Sequence, residues 1–150
     1  MAGTGLDVFD RTLQTTNIWL DDIVEELGPD RHLAWHALGS VLHAVRDRLP
    51  LQLAAHLGAQ LPLLVRGLYY EQWHVGAQPS RWHTLEDFLA VVAEGLRGAR
   101  EVSVRDAASS VLLMLSEHID PGQLHKVIDA LPHDVRAYWR AQFAEGSGVS

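Results

Sequence analysis

The unusual feature of this composition is its nine histidines among 150 residues. Three of them, His32, His36 and His43, lie within roughly 40° of one another on one predicted helix and are predicted to face solvent, away from Leu38. The i, i+4 spacing of His32 and His36 suits a divalent metal, so the three are the candidate metal ligands. Solvated or interface histidines are the alternative. Leu33 stands where a zinc protease needs its catalytic glutamate, so metal-assisted hydrolysis is excluded.

A second candidate site flanks the loop predicted over residues 73–81. Aromatic and imidazole side chains on both sides of this loop could form a ligand pocket or a partner-binding patch. The alternative is that the aromatic rings hold the loop against the core. The candidate set is Tyr69, Tyr70, Trp73, His74, Trp82 and His83.

Other charged residues favour structural roles. Glu71 and His74 form a single Glu-x-x-His unit, whereas a di-iron bundle uses two, and the carboxylates of the first helix (Asp21, Asp22, Glu25 and Glu26) are interpreted as an exposed charged run. Arg66 and Arg136 stand 70 positions apart and are predicted to form ion pairs or to cap backbone carbonyls.

No catalytic motif is present in the sequence. Ser40 and Ser110 lie inside predicted helices without a Gly-x-Ser-x-Gly elbow, and the twelve glycines form no phosphate-binding loop. The chain has no cysteine, which excludes disulfides, thiolate nucleophiles and thiolate metal sites. We therefore expect no enzymatic activity and no cofactor.

The net charge of −7 argues against general binding to nucleic acid. A helix-turn-helix is also disfavoured, since the predicted recognition helix offers only Lys126 as a cation. No apolar stretch resembles a signal peptide or the roughly 20 residues of a membrane span. The sequence thus predicts a cytoplasmic protein that does not contact membranes.

The spacing of apolar residues predicts an all-α protein with roughly eight helices. Leu6, Phe9, Leu13, Leu20, Ile23 and Leu27 recur at threes and fours, which places them on one stripe of a first helix. Gly28 and Pro29 end that helix, and Asp30 can cap the next. Pro50, Pro62 and Pro132 mark later helix starts, as do the capping residues Thr84, Ser103 and Asp120.

Residues 37–73 and 107–143 are similar at a constant offset of 70, with nine identical positions. A duplication is the simplest interpretation. We expect a helical bundle made of two tandem repeats, over residues 1–76 and 77–150, that form one cooperative globular unit. The histidines and the Tyr69-Tyr70 pair are not repeated, so any chemistry is not two-fold.

Several motifs resemble a known family. They are the run Leu49-Pro50 through Ala59-Gln60-Leu61-Pro62, the run Val65-Arg66-Gly67-Leu68-Tyr69-Tyr70-Glu71 with Trp73, and the amino-terminal Thr4-Gly5-Leu6, Phe9-Asp10-Arg11-Thr12, Thr16 and Trp19-Leu20. Together they resemble the bacterial domain of unknown function 2267 family. Gln72 stands where that family usually has glycine. The resemblance implies an all-α fold and carries over no catalytic residues.

These observations favour a non-catalytic helical module that binds a protein partner or forms a homo-oligomer. A protein that binds a small ligand or a divalent metal, through the histidines of the second helix or the aromatic residues of the loop, is the alternative.

Overall fold

The chain folds into helices alone over residues 3–99 and 101–146, which are the residues that the computed structural model describes. This confirms the predicted all-α class. None of the described helices is both long and apolar enough to cross a membrane. The eight α-helices of these residues are α1 (Asp7–Leu27), α2 (Arg31–Arg48), α3 (Leu51–Ala59), α4 (Leu63–Tyr70), α5 (Leu85–Gly95), α6 (Val104–His118), α7 (Pro121–Asp129) and α8 (His133–Gly146), with a 3-10 turn at Val75–Ala77.

The predicted capping residues start the helices as expected. The Asp30 carboxylate accepts a hydrogen bond from the Leu33 N–H at 3.0 Å. Thr84 and Asp87 bond to each other's backbone N–H groups, which completes a capping box at the start of α5. These bonds satisfy N–H groups that have no partner inside the helix, so the helix ends follow from short sequence signals.

Helix α2 lies at the centre of the protein. The spacing of its apolar residues predicts one buried face centred on Leu38. That face is fully buried, but Gly39, Ser40, Ala44 and Arg46 are buried too. The reason is that α1, α4, α5 and α6 all pack against it. The prediction of one buried face on α2 was therefore too narrow.

The apolar residues of α4 predict a buried side made of Leu64, Val65, Leu68 and Tyr69, and the structure differs from this in part. Val65 and Tyr69 are fully buried and Leu68 is partly buried, but Leu64 is 42% exposed, so its predicted burial is wrong. Leu64 lies about 100° round the helix from Val65, at the edge of the buried face.

Both halves of the chain contribute to one hydrophobic core, which contains side chains from every described α-helix. Helix α1 packs on α6, α3 on α7, and α5 on α8. Helix bounds agree with the offset of 70: α3 and α7 begin at Leu51 and Pro121, and α4 and α8 begin at Leu63 and His133. The duplication itself remains an interpretation of this agreement.

Candidate functional site

The histidines of α2 do not form one outward stripe. His32 and His36 are exposed, but His43 is partly buried and its Nε2 donates to the Leu68 carbonyl oxygen at 2.7 Å. The expected solvent orientation is therefore wrong for His43, because α4 covers that side of α2. Burial lowers the pKa of His43 below its usual value, although the bond to Leu68 opposes this shift. One of the three candidate ligands thus already has a structural partner.

His36 and His43 do share a surface cavity of about 230 Å³ with Glu71. Their ligand atoms are not close enough to one another to hold a metal as a group of three; within the described residues, only Asp22, Glu117 and His118 meet that condition. The structure therefore directs attention away from α2 as a three-ligand metal site.

The aromatic residues around the loop divide into two contacts rather than one pocket. Tyr69 is fully buried and its hydroxyl donates to the Ala54 carbonyl, while burial raises its pKa. Tyr70 lies between the rings of Tyr69 and Trp73. Trp82 instead packs on Phe88.

His74 and His83 are exposed, and none of the six candidate side chains lines the main surface cavities of the described residues. The contacts of Tyr69, Trp73 and Trp82 are those of loop anchoring.

A buried arginine that sequence analysis did not single out holds this loop. Arg46 is 1% exposed, and its guanidinium donates to the carbonyl oxygens of Tyr69 at 2.5 Å and Glu71 at 2.8 Å. It also pairs with Asp47 and lies over the ring of Trp73. The burial of this charge is compensated because every side of it meets an acceptor or an aromatic ring. A single sequence gives no signal for this role, since the carbonyl groups that Arg46 binds lie more than 20 residues away.

Arg66 and Arg136 cap carbonyl groups, as predicted. Arg66 donates to the carbonyl oxygen of Leu61 at 2.9 Å, and Arg136 donates to that of Asp129 at 3.3 Å. The Arg66 Nε atom is buried and has no hydrogen-bond partner. Ser110 is buried as well, and its hydroxyl donates to the Asp106 carbonyl within α6.

The apolar stripe of α1 is buried along only part of its length. Thr16, Leu20 and Ile23 are at most 8% exposed. Towards the amino terminus the stripe continues with three exposed residues, which we call the exposed α1 stripe: Leu6 (53% exposed), Phe9 (48%) and Leu13 (43%). The body of the protein does not cover these three side chains, so the expectation of one continuous buried stripe was wrong for the first half of the helix.

A groove of about 620 Å³ runs between α1 and the start of α4, on the side of α1 that carries Val8, Arg11 and Thr12 rather than the exposed α1 stripe. The hydroxyl of Thr12 accepts a hydrogen bond from the Leu64 N–H at 3.1 Å, which fixes the two helices together at this point. Val8 and Leu63, each about half exposed, lie at the groove, and Arg11 and Arg66 contribute its positive charge. The surface therefore combines exposed apolar side chains with two arginines.

Carboxylates gather on the other side of α1, where it packs on α6. Asp22 lies beside Glu117 and His118, and its Oδ2 atom is 2.6 Å from His118 Nε2. Glu25 and Glu26 adjoin this group and line a small cavity of about 90 Å³ with Asp22 and Glu117. The carboxylates of α1, which the sequence indicated to be an exposed charged run, therefore lie partly in the seam where α1 packs on α6.

Comparison with known protein families decides the relationship that the motifs suggested. The family model described as "Uncharacterized conserved protein (DUF2267)" matches residues 16–138. The chain belongs to this family. No curated protein matches the sequence.

The region that matches the DUF2267 family contains some of these features and not others. It includes the loop anchored by Arg46 and the group formed by Asp22, Glu117 and His118. The exposed α1 stripe lies before residue 16 and is therefore outside the matched range. The exposed α1 stripe and the group formed by Asp22, Glu117 and His118 can therefore be considered separately.

Proposed function

We propose that this chain is a non-catalytic protein-interaction module that self-associates through the exposed α1 stripe. The observation that carries the proposal is the contrast within one helix, whose stripe is buried from Thr16 to Ile23 and about half exposed from Leu6 to Leu13. Burial of apolar surface is the main driving force of association, so an uncovered stripe favours a partner.

The spacing of the stripe favours a helix as that partner. Leu6, Phe9 and Leu13 follow one another at intervals of three and four residues, as do Thr16, Leu20 and Ile23 further on. This is the heptad spacing at which two helices pack their side chains together. A second copy of α1 supplies a matching helix, and a two-fold contact would cover the same stripe on both copies.

Sedimentation velocity of wild type, Phe9→Asp and Ile18→Asp tests this proposal. Ile18 is 46% exposed on the same helix and lies nine residues from Phe9, about 180° round it, so it is a matched control. We expect the wild type to form dimers, Phe9→Asp to weaken dimerisation at least ~10-fold, and Ile18→Asp to have no effect. Circular dichroism verifies that both variants remain folded.

Two outcomes contradict self-association through this stripe. One is a wild-type chain that stays monomeric up to about 200 μM, a concentration at which even a weak dimer is populated. The other is equal weakening by Phe9→Asp and Ile18→Asp, which would show that the contact does not depend on the face of α1 carrying Phe9.

A further inference from the structure

The seam between α1 and α6 brings together three side chains that are metal ligands in many proteins. Asp22 comes from α1, and Glu117 and His118 form the carboxyl-terminal end of α6. One ligand atom from each lies within 4.8 Å of those of the other two. Within residues 3–99 and 101–146 this is the one such group of three, and it was not among the candidate sites indicated by the sequence.

The distances in this group suit a bound ion with little rearrangement. His118 Nε2 and Asp22 Oδ2 are 2.6 Å apart. An ion bound to each at about 2.0–2.2 Å in tetrahedral geometry holds two such atoms roughly 3.3–3.6 Å apart, so the pair needs to open by about 0.7–1 Å. The side chains are 27% and 32% exposed, which leaves room for water as a further ligand.

The imidazole ring of His118 is held in position by an aromatic ring that packs against its face. Its ring stacks on Trp19, with centroids 5.5 Å apart and planes inclined by 24°. Trp19 is itself buried, so the ring has a fixed support. A ligand whose orientation is set before binding loses less conformational entropy when the ion arrives.

The surrounding charge also favours a cation. Glu25, Glu26 and Glu117 form no ion pair within the described part of the chain, and they line one small cavity together with Asp22. Carboxylates crowded without a counter-ion repel one another, and a divalent cation removes that repulsion.

We propose that Asp22, Glu117 and His118 bind one divalent transition-metal ion that joins α1 to α6. One imidazole nitrogen with two carboxylates suits Zn²⁺ or Mn²⁺, whereas Mg²⁺ and Ca²⁺ are bound by oxygen ligands and would gain little from His118. Because Asp22 and His118 are 96 positions apart in the chain, the ion would act as a cross-link between distant segments.

Isothermal titration of metal-free, untagged protein with Zn²⁺ tests the site. We expect saturable binding of one ion per chain, and weaker binding of Mg²⁺ and Ca²⁺. His118→Gln and Asp22→Asn should each weaken Zn²⁺ binding at least ~10-fold, since even residues behind metal ligands have effects of that size. Zn²⁺ should also raise the Tm of the wild type and not that of His118→Gln.

A double variant provides the matched control. His32→Gln combined with His36→Gln removes the exposed i, i+4 pair on α2, and it should bind Zn²⁺ as tightly as the wild type. Loss of binding in this double variant together with normal binding by His118→Gln would overturn the proposal, as would the absence of saturable binding in the wild type. Asp22→Asn keeps the test decisive if His118→Gln fails to fold.

Discussion

His43 and Arg46 lie one turn apart on α2, and both donate hydrogen bonds to backbone carbonyls at the end of α4. His43 bonds to Leu68, while Arg46 bonds to Tyr69 and Glu71. Carbonyls at a helix end lack the full set of helical partners. Arg46 supplies donors to the carbonyls of Tyr69 and Glu71, and His43 adds a second donor to that of Leu68, which also accepts from the Glu71 N–H. Of these two side chains, His43 is the one that can lose or gain a proton.

We expect stability to fall in acid because of His43. Its pKa is lowered first by burial and also by Arg46, against the opposing effects of the Leu68 bond, Asp47 and Glu71. The unfolded chain therefore binds the proton more readily, so this contribution is present above about pH 6.5 and is lost as pH falls through the lowered pKa of the folded state.

Urea denaturation between about pH 7.5 and 5 measures this effect. His43→Gln keeps a donor for Leu68 but cannot titrate, so its free energy of unfolding should decline less with acid than that of the wild type. His32→Gln, at an exposed position on the same helix, should decline as the wild type does. An unchanged pH dependence in His43→Gln would contradict the prediction.

Gln72 is a strained residue at the turn after α4, with φ at +58°. This left-handed conformation suits glycine, which is the residue the family usually has there. Gln72→Gly should raise the free energy of unfolding by about 0.5–1 kcal/mol, after the greater freedom of glycine in the unfolded chain is subtracted. Gln52→Gly, at an exposed position of α3, should lower it by about 0.5–1 kcal/mol. Chemical denaturation shows whether the two signs differ as expected.

At the scale of elements, α2 and α5 approach closely because both have small residues at the contact. A methyl group added to Gly95 would come within 3.0 Å of Ser40 Cβ and still closer to the Ser40 hydroxyl. A methyl group added to Gly39 would similarly come close to the Leu68 side chain. The contact between Gly95 and Ser40 lets α5 cover a face of α2 that an amphipathic surface helix would leave to solvent.

Two glycine-to-alanine substitutions should therefore have opposite effects. At Gly67, within α4, an added methyl group meets nothing within 4 Å, so Gly67→Ala should stabilise the protein by about 0.5–1 kcal/mol through helix propensity. Gly95→Ala should destabilise it by about 1–2 kcal/mol, because overpacking against Ser40 outweighs that gain. Thermal and urea unfolding of both variants compare them; stabilisation by Gly95→Ala would show that α5 can move away from α2 without cost.

At the scale of the whole molecule, the two predicted repeats cover each other's apolar surfaces. Helices α5 and α6 pack on α2, and α6 also packs on α1. Neither half can keep these faces buried alone. A unit of about 70 residues also has a marginal core, so the halves should fold together.

Residues 1–82 expressed alone should consequently lack a cooperative transition near that of the full chain. This fragment ends before α5 and α6, so it exposes the sides of α1 and α2 on which they pack. Circular dichroism on heating, with sedimentation velocity to detect aggregation, measures the outcome. A monomeric fragment that unfolds sharply at the Tm of the whole protein would contradict a single cooperative unit.

Much of the fold could be predicted from local signals in the sequence. Asp30, Thr84 and Ser103 each cap the helix they were expected to start. Such bonds join residues only three positions apart, so they need no knowledge of the rest of the chain. The carbonyl-capping roles of Arg66 and Arg136 were also accessible, since both bond to groups within seven residues.

The sequence by itself thus determined the helices, their ends and the residues with apolar side chains. Only the tertiary structure decided which faces are covered: it buries more than one face of α2, leaves Leu6, Phe9 and Leu13 exposed, and engages His43 in a hydrogen bond. It also joins Asp22 to His118, a contact between residues 96 positions apart that leaves no spacing signal. The physical reason is the separation along the chain over which each interaction acts. Caps and helical periodicity depend on residues a few positions apart, whereas burial and ligand clusters depend on which helices pack together.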